Sequence, residues 1–231
     1  MLDIPKHRKE MLQILLAIYK QPWSKYIALK WGTMCYFLYN LDRFSTDLDF
    51  DILENNYKET IAADTIKIVS SFGEFKNETK WKSLYRLIYS YWASDHNIKI
   101  EFNTKKSRHN KYQRTSLLGE NILCMTKESA FANKLFALSN RVANRDLYDV
   151  YWMEKNKRVF DIDIIQERTW KSMEIFFSDL ENHIKANFHT NTILWQLWIV
   201  LSDKQKIEVK KNLIPDVLDM VKLWKYVYKD S

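Results

Sequence analysis

The chain has 231 residues, 46% of them apolar and 28% charged, with only 3 Gly and 3 Pro. That composition excludes disorder and low complexity and predicts a sizeable core made from regular elements, helix above all. A net charge of +7 hints at a polyanionic partner, and no run approaches the roughly 20 apolar residues that a membrane-spanning helix needs.

In chain order, Met11, Ile14, Leu15 and Ile18 fall at helical spacing and predict a helix over residues 7–20. The first residues carry charges without an apolar run behind them, so no secretory signal is read there and a cytoplasmic, monomeric protein is expected. Cys35 and Cys124 lack both metal-ligand spacing and the numbers for a disulfide framework, and are expected to be buried thiols. Gly32-Thr33 precedes an apolar helical stretch from Met34 to Leu38. Leu48, Phe50 and Ile52 then alternate with Asp47, Asp49 and Asp51, which is strand periodicity. Residues 57–71 are predicted helical, and two or three strands are expected between about 72 and 103. In the clearest of them Ile98, Ile100 and Phe102 share one face and Lys99 and Glu101 the other. From Thr126, an expected N-cap, the pattern is helical almost to the end. Helices are predicted to about Arg141 and over 145–156, 162–187, 190–201, 203–212 and 215–228. The fold expected is α+β, with an α/β core over residues 1–125 and an all-helical part over 126–231 that completes an active-site cleft.

The chemistry-bearing residues begin with Asp47 and Asp49. Two apart on a strand, they point to one face about 6–7 Å apart, close enough to converge on one or two divalent cations. Carboxylate oxygens suit Mg²⁺ or Mn²⁺ held together with substrate phosphates. Glu101 supplies a third acid if its strand neighbours theirs, and Asp51 sits one pleat too far to join. An Asp-x-Asp pair by itself is common on solvated strand faces. Here, however, Gly32 and Thr33 open a helix upstream, where free backbone N–H groups favour a phosphate. Glycine-threonine, about a dozen residues, then Asp47-Leu48-Asp49-Phe50 resembles the nucleotidyltransferase arrangement of the polymerase-β superfamily.

The sequence resembles the AbiEii/AbiGii-type nucleotidyltransferase toxins of abortive-infection toxin–antitoxin systems. Leu29–Thr33 with Arg43–Phe50, then Lys99–Phe102, then Ala132–Leu138 with Arg141 and Arg145–Asp149 carry the likeness in matching order. The resemblance implies a minimal nucleotidyltransferase core that moves a nucleoside monophosphate from an NTP to an acceptor hydroxyl, with an antitoxin encoded nearby. It makes Asp47, Asp49 and Glu101 metal ligands, Glu101 also an aid to the attacking hydroxyl, Lys134 a phosphate ligand and Asp146 a further active-site residue. Gly32, Thr33, Arg43, Ser45 and Arg141 are the accompanying nucleotide-binding candidates, Arg43 and Ser45 chiefly as shapers of the turn. Where the family usually has a second glycine this chain has Trp31, a bulky ring that either narrows the pocket or alters which nucleotide enters.

Several residues admit a plainer reading. Phe131, Leu135, Leu138 and Val142 form an apolar stripe, and Lys134 beside it either meets an anion or reaches past the stripe to water. Arg145, Asp146 and Asp149 equally describe a favourable helix start. The stretch from Lys105 to Arg114 carries five positive charges (Lys105, Lys106, Arg108, Lys111 and Arg114) and no acid. It is either an RNA-contacting strip, which would favour a tRNA or other RNA acceptor, or a solvated loop. A protein acceptor and a catalytically silent RNA-binding module are the alternatives.

Overall fold

The computed structural model describes residues 2–91, 96–157 and 159–229. The chain divides into two compact units, one of Met1–Lys106 with Tyr112–Met125, the other of Ser107–Lys111 with Thr126–Ser231.

The first unit begins with helix α1 (Ile4–Tyr19), whose start is fixed by Asp3 accepting from the Lys6 N–H and whose inner face buries Met11, Ile14, Leu15 and Ile18. Strand β1 (Ile27–Leu29), helix α2 (Trp31–Tyr39), strand β2 (Asp47–Ile52) and helix α3 (Lys58–Ser70) follow. Then come β3 (Glu74–Trp81), β4 (Leu84–Ser90), β5 (Asn97–Asn103), β6 (Tyr112–Leu117) and β7 (Glu120–Met125). They form one seven-stranded sheet in the order β3-β4-β5-β2-β1-β7-β6. Pairing is parallel between β2 and β5 and between β1 and β7, antiparallel elsewhere. One face is apolar: Leu48, Phe50, Ile98, Ile100 and Phe102 are fully buried, and the Phe50 and Phe102 rings stack 5.1 Å apart. Both cysteines are buried free thiols.

The second unit is helical: α4 (Lys127–Asn140), α5 (Asn144–Lys155), α6 (Ile162–Thr169), α7 (Met173–Asn187) and α8 (Asp203–Val227). Thr126 caps α4 by accepting from the Ser129 N–H, as its sequence position predicts. Phe131, Phe160, Phe177 and Trp224 meet ring to ring in the core.

Four expectations need correction here. The helix foreseen over 162–187 is two, broken where Trp170 adopts a left-handed cap with φ 56° and Ser172 starts the next helix. Residues 190–201 are a run of turns: Ile193, Leu194, Leu197 and Val200 are buried at helical spacing, but Gln196 has φ 68° and most backbone bonds span three residues. The helices foreseen over 203–212 and 215–228 are one, with Pro215 inside it. Proline inside a helix costs about 3 kcal/mol. The stripe Val209, Leu213, Val217, Val221 and Trp224 runs unbroken through it, and each large buried side chain contributes roughly 1.5–3 kcal/mol. Finally, α4 ends at Asn140 and Arg141 is extended, so Val142 leaves the apolar stripe and is 52% exposed.

Candidate active site

The polar face of the sheet gathers the acids. β2 and β5 run parallel in a register that pairs Asp47 with Lys99 and Asp49 with Glu101, so all four side chains share one face. On the far side of β5, Arg86 of β4 pairs with Glu101. Asp47, Asp49 and Glu101 are half-buried, whereas the opposite face of the same strands is closed.

The acids are answered by two cations. Lys99 Nζ lies 3.0 Å from Asp47 Oδ2 and 4.0 Å from Glu101 Oε1, and Arg86 Nε donates to Glu101 Oε1 at 2.6 Å. Among the described residues Asp49 has no such salt bridge, and its carboxyl is pushed up to about 6 by burial, with Asp47 and Glu101 adding to the effect and Lys30 and Lys99 opposing it. Three carboxylates against two adjacent cations leave a local excess of negative charge, the condition a hard divalent cation relieves. The donor chemistry therefore fits Mg²⁺ or Mn²⁺. The spacing differs from that expected: among the described residues no three Asp, Glu, His or Cys side chains close into a ready coordination shell. Lys99 and Arg86 engage two of the three carboxylates instead.

The glycine turn sits against the start of β2. Lys30 is extended and its N–H donates to the Asp49 carbonyl at 2.9 Å, anchoring the entry to α2. Trp31 then takes φ 60°, a left-handed conformation that glycine adopts freely and other residues at a cost of about 1–2 kcal/mol. The backbone at this position thus takes a shape that a glycine would adopt without strain. The Trp31 ring is turned to the Lys30 ammonium, 4.5 Å from its centroid. Gly32 is required by a different contact. A Cβ there would stand 2.9 Å from Arg43 Nη2 and 3.2 Å from Ser45 Oγ. Arg43 is buried and donates to the Phe44 carbonyl, and Thr33 Oγ1 bonds both Ser45 Oγ and the Asp47 carbonyl. Thr33, Arg43 and Ser45 thereby hold the loop that delivers Asp47. Asp51 belongs to another pair, a buried salt bridge to Lys30 at 2.7 Å with the Tyr112 hydroxyl donating to its other oxygen at 3.0 Å.

In the helical unit Lys134 is 4% exposed, which excludes the reading in which it reaches water. Its Nζ lies 2.6 Å from Asp146 Oδ1 and 2.9 Å from Asp149 Oδ2, and Arg141 Nε lies 2.7 Å from Asp146 Oδ2. Burial alone would raise the Asp146 carboxyl, but Lys134 and Arg141 outweigh it and hold it well below the usual carboxylate range. Asp149, read from sequence as a helix-start acid, is a buried partner of Lys134.

Of the basic stretch, Lys106 Nζ donates to the Ile52 and Leu53 carbonyls. Arg108 pairs with Glu167 at 3.4 Å and Lys111 with Asp161 at 2.8 Å. Lys105 and Arg114 are exposed. Three of the five cations thus have structural work of their own. Lys30, Arg86 and Lys99 are the charged groups for which sequence reasoning assigned no role. Lys99 was within reach, since it shares the Glu101 face by period two; Arg86 depends on a register that no local pattern encodes.

A seven-stranded mixed sheet with paired acids on a central strand, beside a glycine turn that opens a helix, defines the nucleotidyltransferase class. The sequence pattern of the family described as "Nucleotidyl transferase AbiEii toxin, Type IV TA system" matches residues 13–193, and the chain belongs to that family. Its fold is similar to that of JHP933 from Helicobacter pylori, at TM-score 0.61 and 18% identity over 99% of this chain and 94% of that one. It is also similar to MenT4, a nucleotidyltransferase toxin from Mycobacterium tuberculosis H37Rv, at TM-score 0.55 and 16% identity over 94% of this chain and 85% of that one. At such identities the likeness establishes the fold. No curated protein matches the sequence. No helix among the described residues is long and apolar enough to cross a membrane.

Proposed function

We propose that this nucleotidyltransferase is a Mg²⁺- or Mn²⁺-dependent toxin that transfers NMP from an NTP to a hydroxyl of an RNA acceptor, most plainly a tRNA, in the cytoplasm, with pyrophosphate leaving as the hydroxyl oxygen bonds the α-phosphorus, and that a cognate antitoxin counters it. The observation that carries the reading is the register that places Asp47, Asp49 and Glu101 on one half-open sheet face with more negative than positive charge. These three residues would hold the metal, which when bound would neutralise triphosphate charge. Glu101, tethered by Arg86, is placed to accept or orient the proton of the attacking hydroxyl. Gly32 and Thr33 present the N-terminus of α2 to phosphate, with Arg43 and Ser45 fixing that turn. Lys134 and Arg141, oriented by Asp146, are assigned to triphosphate charge on the family resemblance. Catalysis of this kind is positioning plus charge stabilisation. The RNA acceptor is favoured over a protein one by the net charge of +7 and by the exposed Lys105, Arg108, Lys111 and Arg114.

The test is incubation with each labelled NTP and total RNA or protein lysate, in the presence of Mg²⁺. Label is expected in RNA, and Asp47→Asn or Asp49→Asn is expected to lower it at least about 1000-fold while leaving the melting curve in place. Near-normal transfer by either variant sinks the metal-site assignment; label confined to protein sinks the RNA acceptor.

A further inference from the structure

The polar face of the sheet does not stop at the acids. Directly opposed residues on neighbouring strands share a face, and so do alternate residues along one strand. The pairs Asp49 with Glu101, Glu101 with Arg86, and Arg86 with Thr79 therefore form one row across β2, β5, β4 and β3. Trp81, two residues beyond Thr79 and opposite Leu84, stands on that same face at the edge of the sheet. With strands about 4.8 Å apart, its strand lies roughly 14 Å from that of Asp49, the reach of about two nucleotides.

Trp81 is 47% exposed. The Arg86 guanidinium lies 5.0 Å from its ring centroid while bonding Glu101 at 2.6 Å, so one side chain links the open indole to a site carboxylate. Arg86 has a third of its own side-chain surface open. An indole stiffened by a stacked cation, on an edge strand and level with the acids, combines the two groups that hold single-stranded nucleic acid: a π surface for a base and a fixed positive charge for its phosphate.

From this row we infer that Trp81 and Arg86 form a base-stacking subsite for the acceptor RNA, seating a nucleobase on Trp81 and a backbone phosphate near Arg86, so that the acceptor strand runs along the row toward Glu101. The inference rests on the RNA-acceptor reading above and adds a location to it. It also adds an acceptor contact beyond the 105–114 stretch, three of whose cations are engaged within their own units.

The experiment is fluorescence anisotropy of labelled single-stranded RNA of about ten nucleotides, within the span one such platform covers. Binding of a fluorescent ATP or GTP analogue with Mg²⁺ is measured in parallel. Trp81→Ala is expected to weaken RNA about 5- to 150-fold, the range for one stacked base. Trp81→Phe should recover most of that loss, and NTP affinity should stay put in both, with circular dichroism confirming the fold. Unchanged RNA affinity in Trp81→Ala, where wild type binds RNA, overturns the subsite and leaves the RNA acceptor intact. A fall in NTP affinity alone moves the indole to the nucleotide base and overturns the acceptor assignment. Wild-type protein that binds no RNA overturns both this inference and the RNA acceptor.

Discussion

The two units carry charge clusters made of the same residue types in opposite electrical states. In the sheet unit, Asp47, Asp49 and Glu101 face Lys99 and Arg86 across half-open strands, three negative groups to two positive. In the helical unit, Asp146 and Asp149 meet Lys134 and Arg141, two to two, with both acids and the lysine closed from solvent. The carboxyls report the difference. Asp49 is pushed up to about 6, chiefly by burial and then by its acidic neighbours, while Asp146 is held low despite its burial. A cluster that satisfies its own charges holds helices together. A cluster left with excess charge keeps an appetite for an outside cation, and that contrast separates a metal-seeking face from a charge-balanced one where a count of acids does not.

The largest test of this contrast is Lys134→Met. Removing it takes a cation from two buried carboxylates, and a loss of about 3–5 kcal/mol in urea unfolding is expected. The pH profile should move with it. Because the folded-state pKa of Asp146 is depressed, its contribution is present above the unfolded value near 4 and is lost as pH falls through the lower folded value. Without Lys134 that depression shrinks, so acid unfolding should begin at higher pH. Full stability in the variant, together with poor NTP turnover, would leave Lys134 its phosphate role and remove the structural one.

Lys99→Met probes the other cluster. With one resident cation gone the excess charge grows, and Mn²⁺ binding followed by electron paramagnetic resonance should tighten about tenfold, the worth of a charge neighbour of roughly 1.4 kcal/mol. Weaker Mn²⁺ binding would show that Lys99 organises the acids rather than competing for them. The smallest effect is expected at Gly32→Ala, about 1 kcal/mol of stability, the low end for overpacking, since the closest atom to the added methyl is the far end of the Arg43 side chain, at 2.9 Å, which it must displace. A melting temperature equal to wild type would show that Arg43 moves aside freely.

The contrast also marks what the sequence could reveal. Period-two alternation placed Asp47 and Asp49 on one face and Lys99 and Glu101 on another, because strand geometry is local. That Asp49 would pair with Glu101, and Glu101 with Arg86, needed a register between segments far apart in the chain. Strand β6, Tyr112-Gln-Arg-Thr-Ser-Leu117, was missed because it is a polar edge strand with almost no apolar alternation to detect. The helix expected over 190–201 was read from burial spacing that is real, but Gln196 turns the backbone left-handed within it. At α8 the proline signal was heeded and the continuous stripe through it outweighed it.

The partition of the chain has a consequence for how it is made and cut. Ser107–Lys111 belongs to the helical unit, yet it is translated before β6 and β7 complete the sheet. Its attachments are specific: Lys111 N–H donates to Ser129 Oγ, its carbonyl accepts from Thr126 N–H, and Ser107 bonds Glu167. The backbone therefore passes from one unit to the other at 106/107, 111/112 and 125/126. A nascent helical unit has to reach back past a hairpin to collect its first five residues, and a protease nick or cloning boundary at residue 125 would separate it from them. A fragment starting at Thr126 would lack the partner for Asp161, so this toxin is ill suited to being split into two independently expressed halves.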